Sequence, residues 1–268
     1  MTNAAIARTP SHQRQNVVTL GMAQLAPKGI SEDWWLKYLG DVHWQLIADA
    51  VGQNTTVFRD AQGRQLYAAF CATEFKQLLP DLVGLGQEVK VQSALWAVGR
   101  SRIQSNHRLL VNNQEVAQFR LVSTFVAHLK AGVNASVRRT TPYLIPVLAP
   151  APDDFAQIAS AQAKATKKGA MNAINQVTLP TYFGTDFNAV GLLYFPSFTR
   201  LFEQAEVALA DRVTWSPVRH RRVLYFGNIE AGETVVGAGG AGNCFELWKN
   251  CDGPAASGML AHCSLTRF

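Results

Sequence analysis

Three short clusters in this chain hold residues that can act on a carbonyl group. The first is Gly40-Asp41-Val42-His43-Trp44. The His43 imidazole titrates near neutral pH, so it could serve as a base or as a donor to a carbonyl oxygen. A histidine on a helix face that caps or packs is the plainer reading. The second cluster is Asp186-Phe187-Asn188, followed by Gly191. The Asp186 carboxylate could act as a base or hold a water, and the Asn188 amide could complete an oxyanion hole. The same pair would also suit a turn that satisfies its own backbone. The third is Tyr67 in Leu66-Tyr67-Ala68-Ala69-Phe70-Cys71. A tyrosine among small residues leaves room for a ligand; a core tyrosine with one buried hydroxyl bond is the alternative.

Other chemistries find no support. There is no Gly-x-Ser-x-Gly elbow. The glycine-rich run from Gly237 to Gly242 does not follow the order of a phosphate-binding loop and reads as a flexible hairpin turn. Cys71 has no positive neighbour and reads as buried filler. The other cysteines, Cys244, Cys251 and Cys263, form no Cys-x-x-Cys pair and have no histidine at finger spacing, so no metal site is expected.

The elements that must position these clusters follow from periodicity. Residues 1–16 are polar and read as a mobile tail. Residues 17–25 are apolar and partly β-branched, which predicts a strand. Ser31-Glu32-Asp33 offers a helix cap. Trp35, Leu39, Val42 and Leu46 then fall at spacings of four, three and four, an apolar helical stripe. Gly40-Asp41 interrupts it, so a lead-in and a main helix over 41–51 are expected. Residues 55–59 and 65–75 predict a hairpin, 88–107 a long strand bent near Gly99, and 115–129 a returning strand after the turn at Asn112-Asn113. Residues 143–152 contain prolines, and 153–168 have helix-forming composition, which suits a linker helix or a solvated segment.

The order then recurs. Residues 177–183 are strand-like, and a helix is predicted over 197–210, with strands over 221–227, 233–238, 244–250 and 257–266. The helix entry at Pro196-Ser197 presents free backbone N–H groups and a positive dipole end, which can polarise a carbonyl oxygen. The arrangement is α+β, because no helix is followed by repeated βα units. The expected organisation is a tail (1–16), a first unit (17–149), a linker (150–176) and a second unit (177–268).

With 268 residues, 48% hydrophobic and 16% charged, the chain can bury a sizeable core. The net charge of +6 suits anionic partners such as nucleic acid, CoA phosphates or an acidic carrier protein, though solubility alone would explain it. No basic run exceeds a pair and no nucleic-acid motif occurs, so nucleic acid is not expected. No apolar run approaches the ~20 residues of a membrane span. The N-terminus lacks the apolar core of a signal peptide, so a cytoplasmic location is expected.

The stretch from Gly184 to Phe198, running into Phe202-Glu203-Gln204-Ala205-Glu206, resembles the signature of hotdog-fold acyl-thioester enzymes. Over residues 17–268 the chain resembles the leinamycin-type bifunctional acyltransferase/decarboxylase family of polyketide pathways. The residues that carry this are Ser31-Glu32-Asp33-Trp34-Trp35-Leu36-Lys37, Gly40 to Trp44, Leu66-Tyr67-Ala68-Ala69-Phe70, and Asp186 to Phe195. The resemblance implies a double hotdog: two fused units, each a curved antiparallel sheet around a central helix. It implies transfer of an acyl group from a malonyl-type CoA, methylmalonyl-CoA in that family, to an acyl carrier protein with loss of CO2. No cofactor is implied beyond the CoA thioester and the carrier's phosphopantetheine.

A central tyrosine is also implied, placed on Tyr67, with Tyr38 as the competing position. Tyr67 would attack or protonate the thioester. His43 and Asn188 would stabilise the enolate, Gly191 would line the substrate, and Arg100, Arg102 and Arg221 would meet phosphates. Solvated strand arginines are the alternative. The acyl site is expected between the halves, near both helix entries. A thioesterase using Asp186 to position water, or a dehydratase pairing His43 with Asp186, stays open on the same fold. A carrier-binding module is the non-enzyme reading, and self-association is left open.

Overall fold

The structure, a computed structural model, describes residues 12–167, 175–209, 216–240, 242–250 and 258–268. The first half supplies β1 (His12–Thr19), α1 (Glu32–Ala50), β2 (Phe58–Arg59), β3 (Gln65–Gln77), β4 (Glu88–Val98), β5 (Arg102–Val111), β6 (Gln114–His128) and β7 (Val137–Arg139). Helix α2 (Phe155–Thr166) follows. The second half supplies β8 (Gln176–Leu179), the short α3 (Phe183–Asp186), α4 (Ser197–Leu209), β9 (Val218–Tyr225), β10 (Val235–Gly239), β11 (Cys244–Lys249) and β12 (Met259–Arg267).

These strands form one sheet in the order β1-β4-β5-β6-β3-β9-β12-β11-β10-β8, with the short β2 and β7 at its side. Leaving those two out, each half runs inward from its edge by the same rule: first strand, third, fourth, fifth, second. The long helix of each half lies between its first and second strands. The two second strands, β3 and β9, pair antiparallel at the centre. Alternation along β3 then divides the layers. Phe75 packs with Trp35 and Leu36 of α1, whereas Ala72 packs with Phe155 and Ala156 of α2 on the opposite face.

Local chemistry explains the helices. Ser31 caps α1 by accepting a hydrogen bond from the Trp34 N–H, and Glu32 and Asp33 sit at the positive end of its dipole. Trp35, Leu39, Val42 and Leu46 are buried, as their spacing predicts. The helix is continuous through Gly40, in contrast to the expected lead-in and break. Gly40 serves packing: a Cβ there would lie 3.0 Å from the Phe195 ring, which arrives from the second half.

Three other expectations are corrected. Strand β1 begins at His12, inside the segment read as a tail; residues 1–11 lie outside the described residues. It pairs along its length with β4, whose chain supplies the missing hydrogen-bond partners. The long strand bent at Gly99 is two strands joined by a tight turn, with Gly99 at φ 64°. Of the two readings of residues 153–168, the helix is the one found, as α2, and its Phe155 ring lies under both Arg120 and Arg222, at 5.0 and 5.7 Å. The end of that linker (168–174) and Cys251 are outside the described residues.

The glycine-rich run is also more than a turn. Gly237 lies in β10, where a Cβ would meet that of Ala205 on α4 at 2.9 Å. Gly237→Ala is therefore expected to cost about 1–3 kcal/mol through overpacking, read as a lower urea midpoint at unchanged slope. An unmoved midpoint would contradict this account of the α4–sheet contact.

Across the centre runs a row of charge. Glu74 of β3 stands opposite Arg120 of β6 on one side and Arg222 of β9 on the other. Its carboxylate accepts from both guanidinium groups, at 2.8 Å from Arg222, and from His220 at 3.0 Å. Burial alone would raise the Glu74 carboxyl. The hydrogen bonds from His220 and Arg222 and the charges of Arg120 and Lys76 outweigh burial and hold it well below the carboxylate range.

Candidate functional site at the seam

Where the halves meet, a cleft of about 1040 Å³ opens. One wall is α1, through Gly40, Asp41, Trp44 and Gln45; the floor is β3, through Tyr67 to Phe70, with Tyr225 of β9. The other wall is the loop from Phe187 to Phe195 leading into α4, and the rim is Asn134 to Arg139. The cleft meets α4 near its entry but α1 in its middle, because α1 already starts at Glu32.

Two asparagines hold the loop wall. Asn228 accepts the Leu193 N–H at 2.8 Å and donates to the Leu193 carbonyl at 3.1 Å. Asn134, from the first half, donates to the Gly191 carbonyl at 2.7 Å and to the Ile229 carbonyl at 2.6 Å. Gly191 supplies the φ of 78° that lets the loop turn there, a conformation that side chains disfavour. No local pattern marks either asparagine, because their partners lie in the other half or beyond another strand.

The structure brings some of the expected residues to the cleft and keeps others away. Tyr67 lines it, and its hydroxyl has no hydrogen-bond partner among the described residues. Asn188 also lines it. Its side-chain oxygen accepts from the Val190 and Leu192 N–H groups, the self-satisfied turn, while its amide nitrogen has no partner among the described residues. Several backbone N–H groups expected to be free at this entry are occupied: Gly191 N–H bonds Asn188 O, Tyr194 N–H bonds Asp186 O and Ser197 N–H bonds Tyr194 O.

His43 is placed elsewhere, which corrects its expected role. It is fully buried between α1 and the sheet, with Nδ1 2.7 Å from Ser105 Oγ and Nε2 2.7 Å from Ser123 Oγ. Ser105 continues to His107, which reaches Ser93. Asp186 is likewise buried, with an ion pair to Arg200 at 2.6 Å and a hydrogen bond from the Tyr182 N–H. It stabilises the loop from beneath and is not free to hold a water in the cleft. His43 and Asp186 are not hydrogen-bonded to each other, so the dehydratase pairing has no geometric support.

The three arginines lie outside the lining of the cleft. Arg221 is 1% exposed and bridges Glu32 at 2.8 Å and Glu203 at 3.3 Å. Arg100 and Arg102 line a separate, smaller pocket with Thr140 and Ile145, and Arg102 bonds Ser160. Tyr38, the competing tyrosine, accepts from Asn16 and stacks on Trp34.

Other groups of the cleft titrate or carry charge. Asp41 is the only carboxylate among the described lining residues, and burial raises its carboxyl. Tyr194 is pushed up to about 12 by burial and by the nearby charges of Asp41 and Asp33. Tyr225 is raised by burial and shares a hydrogen bond with Thr73 at 3.0 Å. Arg138 and Arg139 are the described cations of the lining.

The buried imidazoles set a pH dependence of stability. Burial pushes His43 and His107 down to about 3 from the ordinary 6.5. Below pH 6.5 the unfolded chain takes up these protons and the folded chain does not, so their stabilisation is present above 6.5 and lost as pH falls. Glu32 works the other way: burial, opposed by Arg221, raises it to about 7 from 4.5, so acid favours the fold there. Near pH 5.5 these groups give a net uptake of protons on unfolding, a loss on the order of 1 kcal/mol per pH unit. Urea midpoints between pH 6.5 and 5 are expected to fall accordingly, and His43→Gln is expected to flatten that slope. Midpoints that rise on acidification would contradict the assignment.

Comparison with models of known protein families gives no match, and neither does comparison with curated protein sequences. Solved structures do match over nearly the whole chain. A 12:0-ACP thioesterase from Umbellularia californica superposes with a TM-score of 0.62 at 10% identity, covering 96% of this chain and 98% of that one. An acyl-ACP thioesterase from Bacteroides thetaiotaomicron gives 0.60 at 9% identity, covering 94% and 96%. The antiparallel sheet and these likenesses fit a hotdog fold. At such identity the likeness concerns the fold and says nothing of individual side chains.

Proposed function

We propose that this chain is an enzyme of acyl thioesters, working in the cleft at the seam of two fused hotdog units that lie on either side of the α2 segment. The repeated strand order of the two halves supports the double arrangement. One observation carries the functional reading: Tyr67 lines the cleft, and its hydroxyl has no hydrogen-bond partner among the described residues.

Hydrolysis is the reaction that the likeness to two thioesterases favours. The acyl chain would lie against Phe70, Phe195 and Phe198. The Tyr67 hydroxyl and the free Asn188 amide would donate to the carbonyl oxygen as negative charge develops on it. Asp41 would take the proton from the attacking water, its raised carboxyl bringing it nearer the working range of a base.

A second reaction is favoured by Tyr67 itself, since the described lining contains no serine, cysteine or histidine. The Tyr67 oxygen would attack the thioester carbonyl and expel the CoA thiolate, and a carrier thiol would then take the acyl group. With a malonyl-type substrate, loss of CO2 would accompany transfer, the activity implied by the leinamycin-type resemblance. Purified protein mixed with acyl-CoA and acyl-carrier thioesters, methylmalonyl-CoA among them, separates these readings by thiol release and product mass. Free acid marks hydrolysis, and a decarboxylated acyl carrier marks transfer. No thiol released from any member of the panel would refute the enzyme reading and leave a carrier-binding module.

A further inference from the structure

We infer that Arg138 and Arg139 form a phosphate-binding mouth to the cleft, taking the 4′-phosphate end of a pantetheine arm whose thioester lies at Tyr67. The inference rests on the acyl-thioester reading for the nature of the arm, and on the following geometry for the place of the phosphate.

Arg139 of β7 stands opposite Val126 of β6, and Val126 stands opposite Tyr67 of β3. The three share one row across the sheet, and all three line the cleft. Two strand spacings put the Arg139 backbone about 10 Å from that of Tyr67, towards the rim. A pantetheine arm, with two amides and their methylenes, covers that span and places its phosphate at the guanidinium. Asn188, whose amide nitrogen has no partner among the described residues, lines the same cleft.

The charge pattern supports the same direction. Arg64, Arg108, Arg120, Arg200, Arg221, Arg222 and Arg267 all pair with carboxylates. Arg138 and Arg139 are exposed, and neither has a carboxylate partner among the described residues. Among the described residues Arg138 donates only to the Ala135 and Val137 carbonyls, which orients it on the rim without neutralising it. Two uncompensated planar guanidinium groups at the open end of a cleft suit a phosphate, which they meet through charge-assisted, paired hydrogen bonds. Asp41, the one described carboxylate of the lining, sits on the α1 wall. The cleft therefore carries its described acid on the α1 wall and its described bases on the Asn134–Arg139 rim.

The test uses unreactive probes, so it does not depend on turnover. An S-octyl pantetheine thioether is prepared with and without its 4′-phosphate, and both are titrated calorimetrically against wild type and Arg138→Ala/Arg139→Ala. The double variant is expected to bind the phosphorylated probe about tenfold or more weakly and the unphosphorylated probe equally well. Rising salt is expected to weaken the phosphorylated probe on wild type and much less on the variant. An equal loss on both probes, or no loss on either, overturns the inference. The same titration with S-octyl CoA and with an S-octyl carrier protein distinguishes the source of the phosphate: the larger loss marks the one the mouth serves. If the phosphorylated probe binds as expected and no thioester is ever turned over, the enzyme reading fails and the phosphate mouth stands.

Discussion

Tyr67→Phe is expected to lower thioester turnover by roughly a hundredfold or more, the scale of losing one catalytic donor or nucleophile, and to leave the melting temperature unchanged. The second half of that expectation comes from the structure. Tyr67 lines the cleft and its hydroxyl has no partner among the described residues, so removing it breaks no hydrogen bond among them. A core tyrosine would behave in the opposite way, losing about 1 kcal/mol of stability and no activity. Tyr38→Phe is the control: its hydroxyl accepts from Asn16 on β1, away from the cleft, so activity is expected to persist. Full activity in Tyr67→Phe would remove the tyrosine from both proposed reactions and leave Asn188 and Asp41 as the residues to test.

Glu74→Ala is expected to destabilise the fold by about 3–5 kcal/mol, the usual consequence of removing one partner from a buried ion network. The carboxylate is 2% exposed and sits between Arg120 and Arg222, one on each side of the β3–β9 seam. Without it the Arg120 and Arg222 guanidinium groups, both over the Phe155 ring, lose the carboxylate they share. Glu74→Gln keeps the shape and some hydrogen bonds, so a smaller loss is expected. Because Glu74 is held below its ordinary range, its contribution is present above the unfolded carboxyl pKa and is lost as pH falls beneath it. Urea unfolding at pH 7 measures the cost, and a loss below about 1 kcal/mol would show that the row does not tie the halves together.

Periodicity carried most of the fold. The α1 stripe, the hairpin turn at Asn112-Asn113 and the strands of the second half lie where local pattern puts them, within a few residues. The same rules, applied further, would have placed two site candidates correctly. His43 is four residues after Leu39 and three before Leu46, which is the buried stripe of α1 and not its cleft face. Arg221 shares its parity with Val223 on β9, the face turned towards the helices. Other features had no local trace. Glu74 meets Arg222 across 148 residues of chain, and Asn134 reaches Ile229 across 95. Such pairs exist only once β3 and β9 are side by side. Arg138 and Arg139 likewise become a mouth only when the loop from Phe187 closes the opposite wall.

The most direct measurement is a crystal structure with an unreactive acyl-CoA bound, its thioester replaced by a thioether-linked ketone. The ketone oxygen is expected within hydrogen-bond distance of the Tyr67 hydroxyl, with the alkyl chain against Phe70 and Phe195. A ligand seated instead in the smaller pocket beside Arg100 and Arg102, or held only by residues of β10 to β12, would contradict the placement of the acyl site at the seam.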